Sequence, residues 1–293
     1  MTAKVRCAAL LLFAGCTLFA QVGSEGSESG FSFYERFQGS VNTLGSVNEL
    51  DSSVGYKFNS HLAVAAGIPL YFVRPSASTT TATAVSSSNG IGNLYGQARL
   101  TFANPVLNFE STLTGTAPTG DEATGFSTGH ATVDWSNYFD HNFSRLTPFG
   151  NLGIANSVSD TAFFIRPYMT YGTVTHLEGG ARYRLIARLS VAASAYAIVP
   201  TGQQTVVSRI VKAQNTPAAA TSRRNAGVFE NSHATIGPAD IAKDHGFSTW
   251  AQFELGRSID LYAGYSRSTQ YSLDTIFYGV SLNLGKAFRS LGI

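Results

Sequence analysis

From Phe31 onward, polar and apolar residues alternate with a period of two in short segments that recur along the chain. This period places successive side chains on opposite faces of a β-strand. In the segment 93–102, the apolar face carries Leu100 and Phe102, and the polar face includes Arg99. Ionic residues keep to one face in nearly every segment. The other face suits contact with lipid, because a charge at the bilayer midplane costs roughly 2–4 kcal/mol.

These segments predict an all-β fold, a transmembrane antiparallel up-and-down β-barrel of about 12 strands. A soluble sandwich also alternates, but its solvent face should be rich in Lys and Glu. Only 13% of the residues are charged, about half the ~25% of an average soluble domain. Closure into a barrel also satisfies the sheet edges, which lipid cannot do. The predicted strands cover 31–39, 47–58, 61–73, 92–103, 106–115, 129–139, 146–156, 173–186, 189–199, 247–256, 259–267 and 275–288.

The connections between predicted strands alternate between short turns and long loops. Outer-membrane barrels carry short turns on the periplasmic side and long loops on the extracellular side. An even number of strands returns both termini to the periplasmic side. Long extracellular loops are expected at about 74–91, 116–127, 157–172 and 200–246. In the last of these we expect a helical turn or two between Pro238 and Asp244, and an extension of the preceding strand over Val206 to Val211.

The first 20 residues have the composition of a secretory signal peptide. Lys4 and Arg6 precede an apolar stretch, which ends on the small residue Ala20. Export and cleavage are therefore expected, followed by a single barrel domain over 21–293. A lipoprotein processing site at Cys16 is the alternative, but the apolar stretch continues past this residue, which favours cleavage after Ala20.

Cleavage at that point removes both cysteines of the sequence, Cys7 and Cys16. The mature chain then has no disulfide and no thiolate metal site. Loss of Lys4 and Arg6 takes the 20 basic residues to 18, equal to the 18 acidic ones. A neutral chain has no bulk attraction for nucleic acid. The expected partners are outer-membrane lipid, a small-molecule solute and, during biogenesis, the barrel-assembly machinery, with no nucleic acid and no cofactor.

A loop and strand in the middle of the chain resemble those of a known family. Residues 116–121 read Thr-Ala-Pro-Thr-Gly-Asp, and a Gly-x-x-x-Gly step over 125–129 leads into an alternating strand. This pattern resembles the Gram-negative outer-membrane proteins associated with a phenol-degradation (meta) pathway. Residues 92–102 and 147–153 resemble strands of the same family, so the likeness covers about 90–156. The resemblance implies a barrel for the passage of small compounds, aromatic ones among them, and it transfers no catalytic residue.

Titratable residues on the polar faces are the candidate lumen-lining residues, because the opposite faces meet lipid. They are Lys57, Arg99, Glu110, His130, Asp134, His176, Glu178, Arg182, Arg184, Glu254 and Asp260. In a narrow barrel such charges pair and plug the lumen, and in a wider barrel they line a channel. The near balance of four bases and five acids favours pairing around a constricted path, and both alternatives stay open.

Aromatic residues form a second expected set. Outer-membrane barrels carry girdles of aromatic residues at both membrane–water interfaces. Girdle positions of this kind are expected for Trp135, Tyr138, Tyr183 and Phe288.

Passive or facilitated passage of small solutes is the function that the pattern predicts. A closed structural barrel whose loops bind a partner is the alternative, and a lipid-modifying enzyme is a third, less favoured one. The nearest catalytic candidates are Asn231-Ser232-His233 and Asp244-His245. Adjacent residues on a strand point apart, whereas a nucleophile needs its base within about 3 Å. The six histidines are dispersed with no pair at ligand spacing, so no metal site is expected.

If cleavage follows Ala20, the mature protein begins at Gln21 and carries no acyl group. Intact mass spectrometry of outer-membrane material is expected to give the mass of residues 21–293 alone. A diacylated Cys16 would instead establish the lipoprotein alternative.

Overall fold

The computed structural model describes residues 29–76, 87–158, 160, 163–210, 228, 232–256 and 258–283. The expected signal peptide, the end of the last predicted strand with Phe288, and Asn231 lie outside these residues. The described residues form two sheets and one short 3₁₀ turn. No helix in this part of the chain is long and apolar enough to cross a membrane.

Sixteen strands are present in the described residues. In chain order they are β1 (Gly30–Asn42), β2 (Gly45–Lys57), β3 (Leu62–Pro75), β4 (Ser88–Ile91), β5 (Tyr95–Ala103), β6 (Asn108–Thr116), β7 (Thr132–Asp140), β8 (Leu146–Ala155), β9 (Tyr168–Tyr171), β10 (Val174–Ile186), β11 (Leu189–Pro200), β12 (Gln203–Ser208), β13 (Ala234–Pro238), β14 (Asp244–Leu255), β15 (Ile259–Ser268) and β16 (Leu273–Asn283). The 3₁₀ turn covers Ala239–Ile241.

Twelve of these strands close into an antiparallel barrel, so the predicted fold class is confirmed. Around the barrel the order is β1, β2, β3, β5, β6, β7, β8, β10, β11, β14, β15 and β16, and β16 returns to β1. Each predicted segment falls on one of these strands. The short β4 pairs with β3 over Leu70–Val73, beyond the stretch Leu62–Gly67 where β3 pairs with β5.

Alternation along each strand separates an inner from an outer face. On β10, Glu178 and Arg182 occupy inward positions, and Leu177 and Tyr183 are exposed on the outside. Large apolar side chains remain exposed on strand after strand, among them Ile154 of β8 at 52%. A soluble monomer rarely exposes apolar surface on this scale. The outer face therefore fits the hydrocarbon region of a membrane.

The two ends of the barrel differ in their connections. At the end named here the short-turn end, β2–β3, β5–β6, β7–β8, β10–β11 and β14–β15 are joined over 58–61, 104–107, 141–145, 187–188 and 256–258. The opposite, long-loop end carries the connections that follow β3, β6, β8 and β11, together with two tight ones at 43–44 and 269–272. By the general pattern of outer-membrane barrels, we expect the short-turn end to face the periplasm.

Two of the long loops form a small second sheet of their own, in the order β13-β12-β9. The helical turn expected after Pro238 is present as the 3₁₀ turn. The expected extension of β11 is wrong for Val206 to Ser208, which belong to the separate strand β12 and pair with β9 and β13, and Val211 lies outside the described residues. The chain changes direction at Gly202, whose φ of 72° is in the left-handed region that glycine adopts without strain.

A charge placed on the outer face near mid-strand tests the membrane assignment. Ala181 occupies an outward position on β10, opposite Ala193 of β11. Ala181→Arg is expected to destabilise the barrel by about 2–4 kcal/mol, because the guanidinium must leave water for lipid. Ala181→Leu, which adds bulk without charge, should fold as the wild type does. Unfolding followed by heat-modifiable gel migration measures both variants, and equal stability of the two would contradict the lipid-facing assignment.

Candidate functional site: a constricted lumen

A stretch of the loop between β8 and β9 folds into the barrel. We name residues 163–167 the inner segment. The ring of Phe163 lies 4.6 Å from that of Trp250 and 5.4 Å from that of Tyr262, and Phe164 lies 5.9 Å from Phe277. These three partners occupy inward positions on β14, β15 and β16. The inner segment therefore fills the side of the lumen next to these strands.

Two glycines in the wall make this packing possible. A Cβ atom on Gly264 would lie 2.4 Å from the Phe277 ring, and one on Gly279 would lie 2.3 Å from the Tyr262 hydroxyl. Any larger residue at either position would displace an aromatic ring that contacts the inner segment. The glycines thus let the rings lie flat against the neighbouring strands.

Hydrogen bonds and an ion pair hold the inner segment against the barrel wall and the second sheet. Arg209, which follows β12, approaches Asp160 at 2.8 Å and donates to the Arg166 carbonyl at 2.9 Å. The carboxylate of Asp160 also accepts the Arg166 N–H at 2.9 Å. On the opposite side the Ile165 N–H donates to the Ser40 hydroxyl of β1 at 2.8 Å. The position of the segment is therefore set by hydrogen bonds as well as by aromatic packing.

Arg209 is the centre of this network. Its guanidinium also donates to the Tyr71 hydroxyl at 3.2 Å and lies 4.4 Å from the centre of the Tyr71 ring. Burial by itself lowers the pKa of Arg209, but Asp160, Tyr71 and Glu49 together outweigh it, so the pKa lies above its ordinary value. The residue is therefore a permanent, buried positive charge whose partner is Asp160.

A cavity of about 370 Å³ remains beside the inner segment. Small-molecule sites range from about 300 to 1,000 Å³, so a small organic solute fits. Its wall combines aromatic rings with a surplus of acids, six carboxyl groups to three guanidinium groups. The carboxyl groups belong to Glu49, Asp51, Glu110, Asp134, Asp160 and Glu178, the guanidinium groups to Arg36, Arg166 and Arg209, and the rings include Tyr95, Tyr138, Phe163, Phe164 and Trp250.

Several of these charges are paired across neighbouring strands. Arg36 lies 3.6 Å from Glu49 and 3.5 Å from Asp51. His176 Nε2 lies 3.1 Å from an oxygen of Asp134. Arg99, which lies outside the cavity wall, approaches Glu110 on the wall to 3.3 Å. The lumen therefore combines pairing with an open space, and neither alternative left by the sequence describes it alone.

The structure places the candidate lumen residues in three groups. Glu110, Asp134, His176 and Glu178 line the cavity. Arg182, Arg184 and Glu254 lie together near the short-turn end. Lys57, Arg99 and Asp260 hold inward positions on β2, β5 and β15, outside the cavity wall.

His130 needs a correction, because it does not lie on the inner wall. It is exposed, precedes the first residue of β7, and its ring stacks on Tyr171 of β9 at 4.3 Å. Gly129, with a φ of 71°, turns the chain immediately before it. The predicted strand began three residues too early at this point, in the loop.

Tyr138 also differs from its expected role. It shares the inward face of β7 with Asp134 and lines the cavity, so it is not a girdle residue. Trp135 and Tyr183 are exposed on the outer face, at 52% and 42%. The parity that placed Asp134 inside also places Tyr138 there, and the prediction relied on residue type instead.

Sequence reasoning missed several residues of the site. Arg36, Glu49 and Asp51 lie on inward positions of β1 and β2, and alternation from Gln38 and Val47 would have found them. The inner segment and Arg209 lie in loops, where no period exists. Nothing in the local sequence indicates that these loop residues enter the lumen.

The described residues give no support to a metal site or to the candidate catalytic pairs. They contain no group of three or more His, Cys, Asp or Glu side chains that could hold a metal ion. Asp244 is buried on the inner face of β14, and His245 is exposed on the outer face. These two candidates therefore point apart. His233 and Ser232 lie in the loop before β13, and their neighbour Asn231 falls outside the described residues.

Comparison with known proteins supports the fold. No family model matches the chain, and no curated protein sequence matches it. An outer-membrane channel from Pseudomonas putida F1 has a similar structure, with a TM-score of 0.58 and 12% identity over 91% of this chain and 100% of that chain. The Pseudomonas putida toluene transporter TodX has a TM-score of 0.44 and 11% identity over 87% of this chain and 89% of that chain. A KdgM porin in complex with oligogalacturonate has a TM-score of 0.47 and 10% identity over 86% of this chain and 98% of that chain.

The first of these structures shares the outer-membrane β-barrel fold with this chain. At 12% identity the likeness concerns the fold alone. It covers the whole of the channel and 91% of this chain.

Loss of the Asp160 charge should release the inner segment. Asp160→Asn leaves the buried Arg209 without its carboxylate, and breaking a buried pair costs about 3–5 kcal/mol. Hydrogen–deuterium exchange is expected to rise over residues 163–171, while heat-modifiable migration shows an intact barrel.

Asp274→Asn is the matched control, because Asp274 pairs with Arg267 at 2.6 Å on the exposed surface. Such pairs contribute little to stability. Exchange over 163–171 should stay at the wild-type rate in this variant. The same rate in Asp160→Asn would show that Arg209 and Asp160 do not hold the segment.

Proposed function

We propose that this protein is a narrow outer-membrane channel for the passive or facilitated passage of small solutes. The barrel wall is apolar on the outside and polar on the inside, as such a channel requires. The main observation behind this proposal is that the inner segment fills one side of the lumen and leaves a cavity of about 370 Å³ on the other. The segment narrows the path and so selects solutes by size.

The charges on the cavity wall favour a channel over a closed barrel. A closed barrel would bury its charges in balanced pairs, because an uncompensated buried charge is costly. Here Glu49 and Asp51 share the single Arg36, and Glu178 has no ion pair among the residues that the structure describes. Water or a solute in the cavity would solvate the surplus.

The cavity also suggests which solutes pass. Phe163, Phe164 and Trp250 form one side, and Tyr138 with the carboxyl groups of Asp134 and Glu178 forms another. Aromatic side chains contact rings edge to face or offset, and polar groups orient a substituent by hydrogen bonds. A small compound with a ring and a polar substituent fits this combination.

Membership of the phenol-degradation family is a finer proposal. The Thr-Ala-Pro-Thr-Gly-Asp loop over 116–121 and the glycine step over 125–129 support it. Phe126, inside that step, is fully buried and stacks on Tyr71 at 5.4 Å, so the resembling loop packs against the cavity. The proposed solutes agree with the aromatic compounds that the resemblance implies.

Export and assembly complete the proposal. The residues 1–20 would direct export, and 21–293 would form the mature barrel in outer-membrane lipid after folding by the barrel-assembly machinery. The apolar outer face supports the lipid partner, because such a surface is not stable in water.

Single-channel recording tests the constriction. Wild-type protein in planar bilayers is expected to conduct weakly. A Phe163→Ala, Phe164→Ala double variant should conduct at least about twofold better, because the lumen widens where both rings are lost. Phe247→Ala is the matched control, since it removes the same ring from the outer face of β14, where Phe247 is 42% exposed.

Heat-modifiable migration shows that each variant is folded. A wild type and a double variant that both fail to conduct would exclude the channel and leave a closed structural or surface-interaction barrel. Increased conductance in Phe247→Ala as well would show that the effect does not come from the constriction.

A further inference from the structure

Four arginines gather at the short-turn end of the lumen. Arg145 precedes β8, Arg182 and Arg184 belong to β10, and Arg188 lies in the turn to β11. We name them the arginine cluster. The Arg184 N–H donates to the Arg145 carbonyl at 2.8 Å, and the Glu254 N–H donates to the Arg188 carbonyl at 2.9 Å. These backbone hydrogen bonds hold the turn of Arg145 against β10 and the turn of Arg188 against β14.

Arg182 and Arg184 share the inward face of β10. Arg182 is paired with Thr147 of β8, and Arg184 is paired with Ser190 of β11. All four arginines line one small pocket together with Thr147, Ser190 and Glu254. The four arginines thus lie around one shallow pocket next to hydroxyl groups, and Arg145, Arg184 and Arg188 are exposed.

The cluster is an exception to the charge pairing seen elsewhere in the lumen. Arg36, Arg99 and Arg209 each have a carboxylate within 4 Å. None of the four cluster arginines has such an ion pair among the residues that the structure describes. Glu254 is the single carboxyl group on the pocket wall, against four guanidinium groups. Like charges held close together repel, so this arrangement gains stability when an anion enters.

We propose that the arginine cluster binds small oxyanions, carboxylate or phosphate groups carried by solutes at the short-turn end of the lumen. Guanidinium is the cation suited to such groups, because its planar fork donates two parallel hydrogen bonds to two oxygens of one carboxylate or phosphate. Four forks around one pocket can share one anion. Ser190 adds a hydroxyl donor on the same face.

The role of this site in permeation rests on the proposed channel function, whereas binding itself does not. The cavity wall, with its surplus of carboxyl groups, repels an anion. The arginine cluster attracts one. The lumen therefore has two regions of opposite charge, and an anionic solute is held at the short-turn end.

Calorimetric titration of the refolded full chain in detergent tests the site. The probes are phthalate, inorganic phosphate and the neutral analogue benzamide. We expect phthalate to bind and benzamide not to bind, and inorganic phosphate shows whether a free ion is sufficient. Arg182→Gln combined with Arg184→Gln should weaken phthalate binding at least about tenfold, since two of the four bidentate donors are lost.

Arg74→Gln combined with Arg267→Gln is the matched control. It removes two positive charges as well, but from the long-loop end of β3 and β15. The control should bind phthalate as the wild type does. Equal weakening in both double variants would show a general charge effect and overturn the proposal.

Unchanged phthalate binding in the Arg182, Arg184 variant would also overturn it. If that variant does not fold, the wild-type titrations test the proposal by themselves. Equal binding of phthalate and benzamide, or no binding of either, would reject an oxyanion site. A barrel that conducts but does not bind phthalate loses the oxyanion site and keeps the channel function. A barrel that binds phthalate but does not conduct keeps the site and loses the channel function.

Discussion

The pairing of β1 with β16 is the constraint on which the rest of the structure depends. It runs from Tyr34↔Asn283 to Asn42↔Thr275 and joins the first strand of the barrel to the last. Lipid offers no hydrogen bonds, so each backbone group left open at a sheet edge would cost several kcal/mol. Closure removes both edges at once. It also divides every strand into an inner and an outer face, which is why ionic side chains can be present at all.

The closed wall then allows a loop to be folded inward. The inner segment has apolar rings to bury, and the lumen offers Trp250, Tyr262 and Phe277 for them. Asp160, which precedes the inner segment, forms an ion pair with Arg209 from a different long loop. The two loops also share the second sheet, through pairing of β9 with β12. The constriction is thus a joint product of both loops, and a change in either should alter the width of the path.

Charge is distributed unevenly along the resulting path. The acids beside the inner segment and the arginine cluster at the short-turn end occupy different levels of the lumen. On β10 the change falls within a few residues, from Glu178 to Arg182. Ion pairs such as that of Arg36 with Asp51 stabilise the wall, and the groups left over remain for solutes. Size selection by the aromatic rings and selection by charge are therefore separate properties of one lumen.

The sequence by itself determined the barrel and the orientation of its strands, because alternation is local and each residue reports its own face. Glu110 and Glu178 could be placed inside for this reason, and the same parity holds for Tyr138, where residue type misled the prediction. At His130 alternation failed because the strand had not yet begun. Only the tertiary structure decided the contents of the lumen. The contacts of Arg209 with Asp160 and of Phe163 with Trp250 join residues far apart in the chain. Loop sequences have no periodic pattern from which such contacts could be predicted.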